Sequence, residues 1–260
     1  MPAASSKRSS LPSSSHRPRK RFGQHFLHDP GVIRRIVEAI APAAEDFIVE
    51  IGPGQGVLTL PLAERVRRLE VIEIDRDLAA ALPGERIKVH VADALEFDFG
   101  MFPKGVRIVG NLPYNISTPL LFHLARYADR VRDMHFMLQR EVVERMVAKH
   151  STAAYGRLSV MLQTRFRMEK LFRVAPGAFK PPPKVDSAVV RMVPLATPLG
   201  CDEKALEKVV REAFSARRKT LRNALSLERG DYAALGIDPK LRPENLSPQD
   251  YVRIARCLSR

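Results

Sequence analysis

A glycine-rich turn between a predicted strand and a predicted helix is the first place where the sequence can do chemistry. Residues 47–51 (FIVEI) form a short apolar stretch typical of a buried strand, and they run into Gly52, Gly54 and Gly56. Glycines at such a turn let the backbone bend sharply and approach a ligand closely. The spacing differs from the dinucleotide fingerprint G-x-G-x-x-G, and Pro53 lacks an amide that a pyrophosphate would use. The turn therefore favours a cofactor without phosphates.

Two acidic residues follow the next two predicted strands. Glu73 lies near the end of the strand predicted over residues 70–74, where a carboxylate can accept hydrogen bonds from both hydroxyls of a ribose. Asp93 follows the strand predicted over residues 87–91, where it can accept a hydrogen bond from the exocyclic amine of an adenine ring. Each acid alone also fits an exposed strand end or a turn cap. In this order they predict a pocket for adenosine joined to an amino acid, as S-adenosylmethionine requires.

A second turn, Asn111, Leu112, Pro113 and Tyr114, follows the strand predicted over residues 106–109. The 6-amino nitrogen of adenine is a poor nucleophile, and acceptors aimed at its hydrogens would direct its lone pair at a methyl carbon. The side-chain oxygen of Asn111 and the carbonyl of Leu112 can be those acceptors. Pro113 would fix the turn, and Tyr114 can stack on a base taken out of its helix. An ordinary turn with a half-buried aromatic is the alternative when the tetrapeptide is taken alone.

The elements that must position these residues alternate along the chain. Further helices are predicted from the spacing of apolar residues over 32–40, 57–67, 118–127 and 141–149, and a fifth strand over 134–138. This alternation predicts an α/β domain over residues 21–194, with a Rossmann-like parallel sheet and helices on both faces. Beyond Pro194 and Pro198, helices but no strand are predicted over 203–229 and 248–259. Residues 199–260 are therefore expected to form a small all-helical domain.

Composition limits the partners and the compartment. The 260 residues include 43 Lys and Arg against 29 Asp and Glu, a formal net charge of +14, which favours a polyanionic partner, although basicity can also serve solubility alone. Residues 1–20, rich in serine and basic side chains, are expected to be a disordered arm, with an import peptide or an unstructured terminus as alternatives. No apolar run is long enough to span a bilayer. Cys201 and Cys257 have neither disulfide nor metal-site spacing, so a cytoplasmic protein without a metal is expected.

Six motifs in this order resemble the ribosomal RNA adenine dimethyltransferases, and among them the KsgA-type enzymes of the small subunit. The resemblance runs from about Arg21 to the end of the chain. It rests on residues 23–27 (GQHFL), 50–56 (EIGPGQG), 93–95 (DAL), 111–117 (NLPYNIS), 179–187 (FKPPPKVDS) and 214–222 (FSARRKTLR).

The resemblance implies dimethylation of two neighbouring adenines in a hairpin near the 3′ end of small-subunit (16S) ribosomal RNA, with S-adenosylmethionine as the donor. The expected partners are this RNA and the immature small subunit, and the chain is expected to be a monomer. It also implies stacking of Phe179 on the target base opposite Tyr114, although a core aromatic that anchors its loop fits Phe179 equally well. The expected cofactor contacts are His25, Leu27, Gly52, Gly54, Glu73, Asp93, Ala94 and Asn111.

A cluster of basic residues is expected to contact the RNA. Arg217, Arg218, Lys219 and Arg222 lie on one predicted helical stretch, on which Arg218 and Arg222 are one turn apart. Such a run is usually only a solvated face, but the net charge and the enzyme class both favour phosphate contacts. The RNA would be recognised mainly by shape, with the reactive base splayed out.

Three alternatives share parts of this pattern. A large-subunit ribosomal RNA adenine methyltransferase would have the same cofactor and chemistry. A non-catalytic RNA-binding assembly or transcription factor would have the same scaffold, but the intact turn from Asn111 to Tyr114 argues against loss of activity. A DNA adenine methyltransferase would be expected to have a separate target-recognition domain, which the sequence does not indicate.

Overall fold

The computed structural model describes residues 24–84, 86–197 and 199–259. The basic arm predicted over residues 1–20 lies outside the described residues, as does Pro198 between the two predicted domains. None of the helices among the described residues is both long and apolar enough to cross a membrane.

Nine strands lie in the described part of the chain, seven of them in one central sheet. They are β1 (Phe26–Leu27), β2 (Phe47–Ile51), β3 (Arg68–Glu73), β4 (Ile87–Val91), β5 (Val106–Asn111), β6 (Val131–Gln139), β7 (Phe166–Val174), β8 (Phe179–Lys180) and β9 (Ser187–Pro194). The central sheet has the order β4-β3-β2-β5-β6-β9-β7, and β1 pairs with β8 in a separate two-stranded sheet.

The expectation of an entirely parallel sheet is wrong at one side. Strands β4, β3, β2, β5 and β6 are parallel, but β9 pairs antiparallel with both β6 and β7. The chain reaches β9 from β7 through residues 175–186, which contain β8 but no α-helix to cross over the sheet, and neighbouring strands joined without a crossover run antiparallel. Strand β7 is mostly exposed or half-buried along its length, which hides it from a search for apolar runs.

Ten α-helices lie in the described part of the chain. They are α1 (Pro30–Ile40), α2 (Thr59–Ala63), α3 (Arg76–Ala81), α4 (Ser117–Ala125), α5 (Arg140–Val147), α6 (Arg157–Gln163), α7 (Glu203–Ser215), α8 (Leu221–Ala224), α9 (Arg229–Leu235) and α10 (Pro248–Leu258). The first helix shows why local sequence sets these bounds. Asp29 caps its amino end by accepting a hydrogen bond from the Val32 amide at 2.9 Å, and Ala41 closes it in a left-handed conformation.

Apolar side chains leave the strands in both directions and form two separate clusters. Val49 and Ile108 belong to the cluster beneath α4 and α5, whereas their neighbours Ile48 and Val109 belong to the cluster beneath α1 and α2. Successive strand residues point to opposite faces, so a strand covered on both sides must be apolar at nearly every position. The Rossmann-like α/β arrangement with helices on both faces is thereby confirmed.

The carboxyl-terminal part is helical, as expected, but its helices break earlier. Helix α7 ends at Ser215 and a turn leads to α8, so the single helix predicted over 203–229 is wrong. The amide of Leu221, the first residue of α8, donates to the carbonyl oxygen of Leu241 at 2.8 Å and ties α8 to the segment after α9. The helical part has its own apolar cluster, which also includes Tyr155 and Val160 next to the sheet. The boundary between residues 194 and 199 stays a prediction.

Candidate functional site

A cavity of about 290 Å³ opens at the carboxyl edge of the sheet, where β2, β3 and β5 end. This is the edge at which open α/β sheets bind ligands. The structure brings nine of the residues expected from the sequence to the wall of this one cavity: His25, Gly52, Glu73, Asp93, Ala94, Asn111, Leu112, Pro113 and Tyr114.

The glycine-rich turn helps to orient the carboxylate of Glu73 in the cavity wall. Gly54 has a φ of +55° and donates its amide to Oε2 of Glu73 at 3.2 Å, while the amide of Asp75 donates to Oε1 at 2.9 Å. These bonds fix the direction of the carboxylate. Burial nevertheless raises the pKa of Glu73, because the two amides offset only part of the cost of holding a charge away from water. Gly54 itself does not line the cavity.

A second buried carboxylate, Glu50, was not recognised from the sequence. It is 1% exposed near the end of β2, and its Oε2 has no hydrogen-bond partner among the described residues. The pKa of Glu50 is raised to about 7, mainly by burial and in addition by the nearby charge of Glu73. The hydroxyl of Thr59 offsets part of this rise. A small cavity beside the main one is lined by Glu50 together with Gly52 and Asn111. The available signal was a charged residue inside an otherwise apolar strand.

Asp93 caps a turn and also lies on the cavity wall, and its contact with an adenine ring stays a prediction. Its Oδ1 accepts a hydrogen bond from the Leu95 amide at 2.9 Å and caps the turn after β4, and the residue also lines the cavity. Ile74, at the end of β3, adds an apolar side chain to the same wall and is 45% exposed. An exposed isoleucine at a strand end gives no distinctive sequence signal, and it was missed.

The turn at residues 111–114, called here the asparagine-proline turn, is held at its first two residues. The side-chain amide of Asn111 donates to the carbonyl of His25 at 3.2 Å, which leaves its Oδ1 for a different donor. The Leu112 amide donates to the carbonyl of Met137 at 3.1 Å and ties the turn to β6. A Cβ at Gly110 would lie 2.5 Å from the carbonyl oxygen of Ile51, so only glycine allows β5 to approach β2 this closely before the turn.

Tyr114 is half-buried and is held at both ends of its side chain. Its hydroxyl and that of Ser187 share a hydrogen bond of 2.6 Å. Its ring lies 5.5 Å from the ring of His25, with an angle of 32° between the planes. Nδ1 of His25 lies 2.8 Å from the carbonyl oxygen of Pro181. His25 therefore contacts both Tyr114 and the proline-rich loop.

Two expected site residues, Phe179 and Leu27, do not line the main cavity, although Leu27 lines the small cavity beside Glu50. Phe179 is 3% exposed and Leu27 is 1% exposed, and both side chains belong to the apolar cluster beneath α1. Their backbones pair in the two-stranded sheet of β1 and β8. The predicted stacking of Phe179 on a base stays a prediction, since its ring is buried among apolar partners in this structure. The alternative, an aromatic that anchors its loop, fits the structure.

The expected basic cluster is divided by the break after α7. The guanidinium of Arg217 donates to the carbonyl of Ala153 at 2.8 Å and lies 3.7 Å from the carboxylate of Glu244. It therefore connects the turn after α7 to the segment before α6 and to the segment before α10. The side chains of Arg218, Lys219 and Arg222 are exposed. Arg218 lies in the turn and Arg222 in α8, so the two are not one turn apart on a single helix.

Comparisons with known proteins agree on one family. A family model described as "Ribosomal RNA adenine dimethylase" matches residues 15–260. The chain is 58% identical to the "Ribosomal RNA small subunit methyltransferase A" of Chromobacterium violaceum, over 94% of this chain and 97% of that protein. It is 59% identical to the protein of the same name from Aromatoleum aromaticum, over 95% of this chain and 96% of that protein.

Solved structures show the same relationship. A dimethyladenosine transferase from Plasmodium falciparum has a TM-score of 0.79 at 25% identity, covering 88% of this chain and 96% of that one. The 23S rRNA methyltransferase ErmE has a TM-score of 0.70 at 27% identity, covering 90% of this chain and 100% of that one. The fold is therefore shared with a dimethyladenosine transferase and with a 23S rRNA methyltransferase.

Proposed function

The chain belongs to the ribosomal RNA adenine dimethylase family, and we propose that it dimethylates two adjacent adenines in a hairpin near the 3′ end of 16S ribosomal RNA. The acceptors are the 6-amino groups of the adenines, and the methyl donor is S-adenosylmethionine. One observation carries the proposal. The asparagine-proline turn and the carboxylate of Glu73 line the same cavity, so an amine acceptor and a nucleoside donor would meet there.

The residues that line the two cavities fit S-adenosylmethionine. The fixed carboxylate of Glu73 suits the two ribose hydroxyls, and Asp93 with the apolar side chain of Ile74 suits the adenine ring. Oε2 of Glu50, which has no hydrogen-bond partner in the described part of the chain, suits the ammonium group of the amino-acid part, beside Gly52, where no Cβ narrows the space. When bound, this cofactor supplies an electrophilic methyl group on a sulfonium.

The chain's own residues would act on the acceptor amine. Oδ1 of Asn111 and the carbonyl oxygen of Leu112 accept hydrogen bonds from the two N–H groups, which directs the nitrogen lone pair at the methyl carbon and stabilises the charge that develops. Tyr114 stacks on the extruded base. The nitrogen loses its extra proton to solvent after transfer, so no strong general base is needed. The rate comes mainly from alignment of donor and acceptor.

The partner would be the small-subunit RNA within an immature small subunit, bound by a monomer of this protein in the cytoplasm. The names of the relatives from Chromobacterium violaceum and Aromatoleum aromaticum support small-subunit RNA. The net charge of +14 supports a surface that binds phosphates. Arg218, Lys219 and Arg222 are proposed for that contact, whereas Arg217, although exposed as well, already donates to the carbonyl of Ala153.

Methyl transfer to purified subunits tests the function. With labelled S-adenosylmethionine, the wild-type protein is expected to yield dimethyladenosine in 16S RNA from immature small subunits. Label in large-subunit RNA instead would favour the large-subunit alternative. Binding of small subunits with no transfer to any RNA would favour the non-catalytic factor and contradict the proposal.

The proposed RNA contact has a test of its own. The double variant Arg218→Ala/Arg222→Ala is expected to bind the RNA more weakly, and the slope of log K against log salt should fall by about two, since about one counterion is released per phosphate contact. The control variant Arg65→Ala/Arg67→Ala removes the same charge from exposed residues elsewhere on the molecule. Equal salt slopes for both double variants would show that α8 and the turn before it do not contact the RNA.

A further inference from the structure

Tyr114 depends on a residue far away in the sequence. Its partner Ser187 is 0% exposed at the start of β9. The backbone of Ser187 pairs with Gln139 of β6 on one side and with Val174 of β7 on the other. The hydroxyl that contacts Tyr114 therefore belongs to a residue fixed between two strands, while Tyr114 itself lies on a turn.

This contact restricts how the tyrosine ring can move. A tyrosine on a turn can rotate about its two side-chain torsions unless its far end is held. The ring of His25 restrains Tyr114 from one direction at 5.5 Å, and the 2.6 Å hydrogen bond to Ser187 fixes the hydroxyl end. The ring plane is thereby set before any base arrives, which lowers the cost of aligning a stacked base.

The same hydrogen bond also limits what the tyrosine can do chemically. The phenol oxygen is occupied by Ser187, and burial raises the pKa of Tyr114 above its ordinary value, so the phenol stays neutral near pH 7. A neutral, hydrogen-bonded phenol cannot take the proton that the methylated amine loses. Its remaining use in the cavity is as a flat surface.

We propose that Ser187 is a positioning residue for the methyl transfer: its buried hydroxyl holds the ring of Tyr114 in the plane on which the target adenine stacks. The inference rests on the proposed function, because it assigns Tyr114 to the acceptor base. It adds a residue from β9 to a site otherwise formed at the ends of β2 to β5 and by the segment around His25. The side-chain hydrogen bond of Ser187 goes to Tyr114, so the contribution of its hydroxyl to methyl transfer is expected to pass through Tyr114.

A double-mutant cycle tests this dependence. Ser187→Ala and Tyr114→Phe each remove the same hydrogen bond, and each is expected to slow single-turnover transfer to immature small subunits roughly five- to tenfold. The double variant should be no slower than the slower single variant, because the bond can be lost only once. Donor affinity, measured by calorimetry, should stay at the wild-type value in all three. Ser159→Ala removes another serine that is 0% exposed and should transfer at the wild-type rate.

The outcomes separate this inference from the proposed function. If the wild-type protein transfers methyl groups and the Ser187→Ala variant transfers them equally fast, the inference is overturned and the proposed function is not. Losses that multiply in the double variant would also overturn the inference, since they would show two independent roles. Tyr114→Phe removes the bond from the half-buried side, so its rate decides the matter even if Ser187→Ala does not fold. A wild-type protein without transfer would instead contradict the proposed function.

Discussion

Buried carboxylates lie at both edges of the central sheet, but their charges are compensated in opposite ways. At the amino edge, Arg107 donates from Nε to Asp133 at 2.8 Å and from a terminal nitrogen to Asp46 at 2.6 Å. Burial tends to raise the pKa of Asp46, yet the Ala43 amide and the guanidiniums of Arg107 and Arg132 hold it below its ordinary value. The negative charges at this edge are therefore stabilised within the protein.

At the carboxyl edge, no such cation is present among the described residues. Glu73 is held by backbone amides, Glu50 has an unpartnered oxygen, and burial raises the pKa of both. This difference indicates that the two edges have different roles. A buried charge that is paired internally supports the fold, whereas one left without a cation is available to a ligand that brings hydroxyl donors and positive charge.

The largest effect on stability is expected at the amino edge. Arg107→Met should lower the free energy of unfolding by about 3–5 kcal/mol, because it leaves Asp46 and Asp133 buried without their shared cation. Urea unfolding would measure the loss. Arg132→Met is the matched control, since it removes a cation from the same Asp46 but the Arg132 side chain is 61% exposed, so less than about 1 kcal/mol is expected. Equal losses would mean that the network around Arg107 is not special.

A smaller effect with the opposite sign is expected at the carboxyl edge. The pKa of Glu50 is raised from 4.5 to about 7, so between these values the unfolded chain ionises while the folded protein keeps the proton. Stability therefore falls as pH rises through this range, by about 3 kcal/mol in all. Glu50→Gln removes this cost and should stabilise the protein at pH 8, with much less gain at pH 5.

The same variant separates stability from cofactor binding. Donor affinity of the wild-type protein should rise as pH increases through about 7, because the ionised form of Glu50 attracts the ammonium group. Glu50→Gln should bind the donor more weakly and lose this pH dependence in calorimetry. A variant that is less stable at pH 8, or that binds the donor as tightly as wild type, would contradict the contrast between the two edges.

Local patterns in the sequence predicted most of the carboxyl edge. The apolar strands, the glycine-rich turn and the acids after their strands are local signals, and parallel strands bring their carboxyl ends to one edge. The structure accordingly places Gly52, Glu73, Asp93 and Asn111 around one cavity. The antiparallel β7 was missed because an exposed edge strand carries mixed polar and apolar residues.

Contacts between distant residues could not be predicted in the same way. Ser187 meets Tyr114 across 73 positions, and Arg107 meets Asp46 across 61, through pairings that only the folded sheet creates. Phe179 was placed in the site on a resemblance, but its burial depends on the pairing of β8 with β1. Arg217 was assigned to RNA on its charge, but its contact with Ala153 depends on the end of α7.

The central claim is that the asparagine-proline turn acts on the acceptor amine, and that the cofactor contact expected of Asn111 contributes little to donor affinity. The most direct measurement compares donor affinity by calorimetry with single-turnover transfer in Asn111→Ala, using Asn115→Ala as an exposed control on the same cavity wall. The account predicts transfer slower by roughly a hundred- to a thousandfold with donor affinity close to wild type, and near-normal transfer for the control. Full transfer by Asn111→Ala, or loss of donor binding together with transfer, would contradict it.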